Sequence, residues 1–215
     1  MNKCRTVVLI SGSGSNLQAI LDSSLAHNSD FEVVAVISNR PGVKGLARAE
    51  KHGIPAITLD HKAYDSREGF DQALSEKIDS YKPSLIILAG FMRILTPEFV
   101  NHYLGRMLNI HPSLLPKYPG LNTHQRALEA GDSEHGTTVH FVTPELDGGP
   151  TIIQARVAIK SDDDATCLAT RVLEQEHRIY PQAVRWFSAG RLKLVDGKVQ
   201  FDGQWLSEPL AMEAN

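Results

Sequence analysis

The sequence predicts an α/β fold: a mostly parallel central sheet flanked by helices, with a mixed C-terminal part. Three observations carry that reading. Apolar, β-branched runs alternate with stretches of helical period over the first half of the chain. Runs such as TVVLIS and SLIILAGF lack the polar alternation of a half-exposed strand, as strands covered on both faces do. Beyond the midpoint the pattern turns to strand pairs separated by turn residues.

In chain order, Thr6 to Ser11 reads as a buried parallel strand, and Leu17, Ile20, Leu21 and Leu25 follow at helical spacing. EVVAVISN is a second strand, KGLARAEKHG a helix closed by Gly53, and IPAITL a short third strand. SREGFDQALSEKIDSYKP, from Ser66, is an amphipathic helix stopped by Pro83. SLIILAGF and RMLNIH are further strands, and TTVHFVT and TIIQARVAI are strands joined through PELDGGP. A long helix runs from about Asp163 to Phe187, with Pro181 interrupting it. LKLVDGKVQFDG is a hairpin through Asp196-Gly197, and the end of the chain, about 204–215, reads as a loose tail. At roughly 100–200 residues per domain, a chain of 215 residues favours one domain, 1–215.

With 22 basic and 25 acidic residues the net charge is −3, so no basic footprint points to nucleic acid. Any anionic ligand must be held by a local site. The two cysteines, Cys4 and Cys167, form neither a metal-type pair nor a disulfide framework, which fits a reduced, cytoplasmic setting. No signal peptide fits the N-terminus, and no run approaches the ~18 apolar residues of a membrane span. No metal, no membrane and no nucleic acid are therefore expected.

Ligands of parallel sheets bind at the carboxyl ends of strands, which singles out the loops after Ile10, Ile37, Leu88 and Ile110. The first, SGSGSN, is a glycine-rich strand-to-helix turn. Ser15 and Gln18 stand at capping-box spacing, and backbone N–H groups at a helix start suit a phosphate. A Walker A loop is excluded because no lysine occurs there. A dinucleotide fingerprint is excluded because Leu17 stands where its third glycine belongs and strand two ends in Ser38-Asn39. Two readings stay open: a phosphomonoester cradle, and a tight turn without a ligand.

The step NIHPSLLPKYPG places Asn109 and His111 on one strand face, with Pro112 forcing His111 to be extended. An amide and an imidazole aimed together suit a developing oxyanion, although a solvated polar strand end has the same pattern. In LDGGP, Asp147 is a candidate charge partner for His111, or simply a turn former beside Gly148 and Gly149. Asp162 to Asp164 read as helix-start charges. On the long helix, Glu176 falls on the apolar stripe of Leu168, Val172, Ile179 and Ala183. It is placed to bind a cationic or hydroxyl-bearing ligand, or to sit in an internal ion pair. His177 and Arg178 fall off the stripe and read as solvated, and His124 and His140 as structural.

Together, SGSGSNLQAI, LAGFMRIL, LNIHPSLLPKYPGLNTH, HGTTVHFVTPELDGGP and EQEHRIYP resemble the phosphoribosylglycinamide formyltransferase family, from about Thr6 to Leu194. Five motifs in order make the resemblance specific. It implies a Rossmann-like formyltransferase fold. It also implies transfer of a formyl group from 10-formyltetrahydrofolate, as co-substrate, to the amine of glycinamide ribonucleotide in purine biosynthesis. By the same resemblance Asn109, His111 and Asp147 are the catalytic trio, and Gly14, Ser15 and Asn16 bind the substrate phosphate. Arg67, Met92, Arg93, Ile94, Leu95, Asn109 and the loop Thr143, Pro144, Glu145, Leu146 and Asp147 would contact the folate. Glu176 and the position of Leu173 would face the glycinamide and ribose. Some relatives carry a polar side chain where Leu173 stands, and leucine cannot supply that hydrogen bond. Both partners are then small molecules, and the protein is expected to be a monomer or weak homodimer. The rivals are a formyltetrahydrofolate deformylase using water, a methionyl-tRNA formyltransferase, and a non-catalytic phosphate-binding module. The first two would ordinarily need further domains, and the last gives no reason for the trio.

Overall fold

Residues 3–212 are described by a computed structural model. Its contacts divide the chain into two units, one ending at Asn109 and the other beginning at Ile110. The first holds β1 (Cys4–Ile10), α1 (Ser15–Ser24), β2 (Phe31–Ser38), α2 (Lys44–Lys51) and β3 (Ala56–Thr58). After a single 3-10 turn at His61–Ala63 come α3 (Arg67–Asp79), β4 (Leu85–Leu88), α4 (Pro97–His102) and the start of β5 (Met107–His111). Every pairing here is parallel, in the order β5-β4-β1-β2-β3. Val7 to Ile10 and Leu85 to Leu88 are buried throughout, as unbroken apolar runs require. Leu9 pairs with Leu88, so the loops after β1 and β4 leave the sheet at one edge, side by side.

The helices of this unit follow their local chemistry. Ser66 caps α3, its hydroxyl accepting from the Gly69 N–H at 3.0 Å. Thr96 caps α4 in the same way through Phe99 N–H at 3.3 Å, with Pro97 at the first helical position. At α1 the capping box read from Ser15 and Gln18 does not form. Gly14, in the left-handed region at φ 72°, is the capping position instead, without a side-chain cap. Gln18 turns away, donating to Asp22 at 2.8 Å and accepting from Arg48 at 3.1 Å.

The second unit holds the end of β5, α5 (Thr123–Glu129), β6 (Glu134–Phe141), β7 (Thr151–Ala158) and α6 (Ala165–Ser188). β8 (Leu192–Val195), β9 (Lys198–Phe201), β10 (Gln204–Trp205) and β11 (Leu210–Met212) follow. β6 and β7 are antiparallel and β11 runs parallel to β7, giving the order β11-β7-β6-β5. The sheet is thus mostly parallel with an antiparallel pair, as expected. β8, β9 and β10 make a separate antiparallel sheet, turning at Asp196 and Gly197, both at positive φ. Asp164 caps α6 by accepting from Cys167 N–H at 2.7 Å, so the helix-start reading of that aspartate holds. Leu168 and Val172 pack with Val157, Leu128 and Ile159.

Two further expectations are corrected, and two helices are added. Pro181 does not interrupt α6, which runs through it as one helix; a proline removes one N–H donor, and the packed stripe outweighs that loss. Residues 204–212 are not a loose tail, because β10 adds to β9 and β11 adds to β7; 213–215 lie outside the described residues. α4 and α5 were not read from the sequence, being too short to display a period.

The β6–β7 pair is unusually close at Gly136, where an added Cβ would stand 2.0 Å from the Ala155 carbonyl oxygen. Gly136→Ala should therefore cost about 1–3 kcal/mol by overpacking, read as a lower urea midpoint in equilibrium unfolding. An unchanged midpoint would refute this close approach.

Candidate active site

The first unit presents two adjoining loops. After β1, Ser11 donates its hydroxyl to Asn39 Oδ1 at 2.6 Å and accepts from the Met92 N–H at 2.7 Å. One buried serine thus ties the glycine-rich loop's base to the MRIL run. Gly45 N–H donates to Gly12 O at 3.1 Å, and Arg48 Nε donates to Ser13 O at 2.9 Å. Two carbonyls of the loop are therefore occupied from α2. Gly14 must be glycine on two counts: its φ is 72°, and a Cβ would come within 2.7 Å of Gly45 Cα. The loop ends at the start of the ten-residue α1, where first-turn N–H groups lack intrahelical acceptors and the dipole is positive. That arrangement accepts an anion. Met92 and Ile94 are more than half exposed. Arg93 between them lies over the Phe70 ring at 4.5 Å. Arg67 and Arg93 both act on Asp71, but burial outweighs them and pushes that carboxyl above its ordinary value.

β5 delivers Asn109 and His111 two residues apart, hence on one face of the strand. His111 is held at Nε2, 2.8 Å from the Tyr118 carbonyl oxygen. A carbonyl only accepts, so Nε2 carries the proton and Nδ1 is the nitrogen left to react. Nδ1 lies 3.4 Å from Asp147 Oδ2, with side-chain exposures of 7% and 9%. The same oxygen accepts the Gly120 N–H at 2.8 Å. Asp147 sits at φ 50°, in the left-handed region that aspartate tolerates. Gly149 beside it has no room for a side chain, since a Cβ would stand 1.8 Å from Phe141 O.

Three further histidines surround this pair. His140 donates from Nδ1 to the Phe141 carbonyl at 2.9 Å, and its Nε2 lies 3.9 Å from Asp147 Oδ1. Burial lowers its pKa, so the ring is held neutral. His124 and His135 meet edge-on at 5.1 Å between centroids. Burial lowers both, His135 to about 4.

Residues 4–184 match the model of the formyl transferase family. The chain belongs to that family. A phosphoribosylglycinamide formyltransferase of Escherichia coli is 56% identical over 200 residues, covering 93% of this chain and 94% of the relative. A protein of the same name from Haemophilus influenzae is 46% identical over 202 residues, covering 94% and 95%. The solved structure of the Coxiella burnetii phosphoribosylglycinamide formyltransferase, in complex with CHES, superposes with a TM-score of 0.93 at 51% identity. It covers 97% of this chain and 99% of that one.

Within the family frame, the second unit brings His111 and Asp147 together, and the first ties the glycine-rich loop to the MRIL run. Glu176 is buried on α6, on the stripe where its spacing put it, and Leu173 is half-buried. His177 and Arg178 are half-buried rather than solvated, and Arg178 donates to Gln175 at 3.1 Å. Among residues 143–147, Leu146 is 56% exposed and Thr143 is half-buried. Sequence reasoning missed the Tyr118 carbonyl and the Gly120 N–H, because backbone groups have no side-chain signature. It also read His140 only as structural; its place beside Asp147 follows from β6 ending next to the loop that carries Asp147. No helix among the described residues is long and apolar enough to cross a membrane.

His135 generates a stability prediction. In the unfolded chain it binds a proton near pH 6.5, and in the folded chain only near about 4. Between those values the unfolded state holds more protons, so stability falls as pH drops through the window. The loss approaches about 3 kcal/mol at the bottom of it. Urea unfolding at steps between pH 7 and pH 4 should show that decline, with a shallower slope in His135→Gln. Equal slopes would remove His135 as its source.

Proposed function

We infer that this chain moves a formyl group from 10-formyltetrahydrofolate to the amine of glycinamide ribonucleotide, with Asn109, His111 and Asp147 as the reacting groups. The activity is folate-dependent formyl transfer in de novo purine biosynthesis, and the cytoplasm is the proposed compartment. The observation that carries the catalytic reading is the buried His111–Asp147 pair, 3.4 Å apart, at the end of the strand that also bears Asn109. Membership of the family and the name of its 56% identical relative support the reaction class and the acceptor substrate.

The mechanism follows from charge. The amine reacts only when neutral; with a reference pKa near ~8, roughly one in ten is neutral at pH 7. Its lone pair forms a bond to the formyl carbon, and the carbonyl oxygen takes up negative charge. Asn109 donates from its amide to that oxygen, and a protonated His111 donates from Nδ1, since Nε2–H is engaged by Tyr118. Asp147 balances the imidazolium and takes the proton from the new ammonium, directly or through water. The carbon–nitrogen bond to the folate breaks as Asp147 passes that proton, directly or through water, to the leaving nitrogen, and the oxyanion returns to a carbonyl.

Binding divides by chemistry. The loop with Gly14, Ser15 and Asn16 holds the phosphate at the start of α1. Met92 and Ile94, exposed apolar side chains on a main chain anchored by Ser11, suit the flat face of the folate, with Arg67, Arg93 and Leu95 beside them. In the second unit, residues 143–147 are the proposed folate contacts. Glu176 accepts from hydroxyl or amine groups of the ribonucleotide, and Leu173 offers it packing only.

Asp147→Asn should fold normally and lower kcat by roughly 10³-fold, because a neutral amide neither balances the imidazolium nor takes a proton. Turnover near wild type in a folded variant would take Asp147 out of the mechanism. Gly14→Ala should weaken glycinamide ribonucleotide binding far more than folate binding, read by titration calorimetry with each ligand. Equal losses would count against the phosphate assignment. Formate released from the folate without glycinamide ribonucleotide would favour hydrolysis by water over transfer.

A further inference from the structure

We propose that the segment Lys117–Gly120 is a strap that sets the tautomer and aim of His111, and that Asp132 and Tyr118 are the positioning residues that hold it. The inference deepens the catalytic reading of His111 and rests on it. Two backbone groups of this segment end on the reacting pair. The Tyr118 carbonyl accepts from His111 Nε2 at 2.8 Å, and the Gly120 N–H donates to Asp147 Oδ2 at 2.8 Å. One short stretch of main chain therefore aims both partners at each other.

The stretch does not hold this shape on its own account. Tyr118 lies at φ 55°, a conformation that a bulky residue adopts only when its surroundings impose it. Those surroundings are side chains distant from the reaction. The Tyr118 hydroxyl donates to Asp132 Oδ2 at 2.8 Å, and Lys117 Nζ reaches the same carboxylate at 2.9 and 3.0 Å. Arg126 lies over the Tyr118 ring at 5.2 Å and donates to the Pro119 carbonyl at 2.6 Å. Ser113 donates its hydroxyl to the Lys117 carbonyl at 2.6 Å. Asp132 itself is anchored between α5 and β6. The hydrogen bonds from Lys117 and Tyr118 hold its carboxyl below the ordinary range, and the bond to Asp132 pushes the Tyr118 phenol up, so the pair is ionised acceptor and neutral donor.

The consequence is chemical. With Nε2–H fixed on the Tyr118 carbonyl, the neutral ring keeps its lone pair at Nδ1, and the protonated ring presents Nδ1–H beside Asp147. If Tyr118 relaxes, Nε2 loses its acceptor, and both tautomers and ring orientations become accessible. A misplacement of about 1 Å can cost on the order of 10²-fold in rate.

The test combines kinetics with nitrogen NMR of the His111 ring in Asp132→Ala, Asp132→Asn and Tyr118→Phe. Wild type should show the Nε2–H tautomer. Asp132→Ala and Tyr118→Phe should show a tautomer mixture, with kcat lower by about 10- to 100-fold and both KM values within about twofold. Asp132→Asn keeps an acceptor for the phenol and should restore most of the rate and the single tautomer. Unchanged ring signals in folded Asp132→Ala and Tyr118→Phe would overturn the strap. A changed tautomer with unchanged kcat would support the strap and instead remove His111 from catalysis.

Discussion

A carboxylate taken out of water has to be surrounded by donors, and Asp147 is such a carboxylate. Its side chain is 9% exposed, with the His111 ring at 3.4 Å and the Gly120 N–H at 2.8 Å on one oxygen. Leaving a buried charge without such partners would cost several kcal/mol. The architecture of the second unit reads as the answer to that demand. β5 brings the imidazole, the turn at Gly120 brings the amide, and the close packing at Gly149 fixes the approach of the loop. His140 lies on the other side, its Nε2 3.9 Å from Asp147 Oδ1, and burial lowers its pKa.

The first unit meets a different electrostatic demand. A chain of net charge −3 has no global attraction for an anion, and the glycine-rich loop contains no lysine. What remains is backbone: a helix start and a loop whose carbonyls are turned inward. The bonds from Gly45 to Gly12 O and from Arg48 to Ser13 O take two acceptors away from the ligand side. At the proposed phosphate site, Arg48 occupies a carbonyl that would otherwise face the anion. The close contact of Gly14 with Gly45 makes this arrangement depend on two glycines, one at the end of the loop and one in α2.

Most of the fold was legible because buried parallel strands announce themselves as unbroken apolar runs. β1, β2 and β4 follow from composition alone. The misreadings have specific physical causes. Pro181 looked like a break, yet one missing donor inside a 24-residue helix is outweighed by its packed stripe. Ser15 looked like a cap, yet glycine at position 14 could take the left-handed conformation that the turn required. β11 looked like tail because three residues have no period, and their order comes from a long-range pairing with β7. At the site, side chains were legible and backbone partners were not. Strand spacing exposes Asn109 and His111 together, whereas Asp147 stands out only as a candidate charge partner and joins them through the family resemblance. The carbonyl of Tyr118 and the amide of Gly120 exist in any sequence, and only the fold says where they point.

The choice of an amine as nucleophile explains why so modest a set of groups suffices as proposed. Water would need a base strong enough to generate hydroxide character before attack. A neutral amine attacks without such help, and its proton becomes acidic only after the bond has formed. The burden on the protein is then to stabilise the oxyanion and to receive a proton late. Donors that are aimed in advance do the first at no reorganisation cost, which is where electrostatic preorganisation contributes most. The second falls, in the proposed mechanism, to the Asp147 carboxylate. In that mechanism the His111–Asp147 pair serves both, provided the imidazole keeps one nitrogen out of the reaction. The 2.8 Å contact of Nε2 with a main-chain carbonyl is what withholds it.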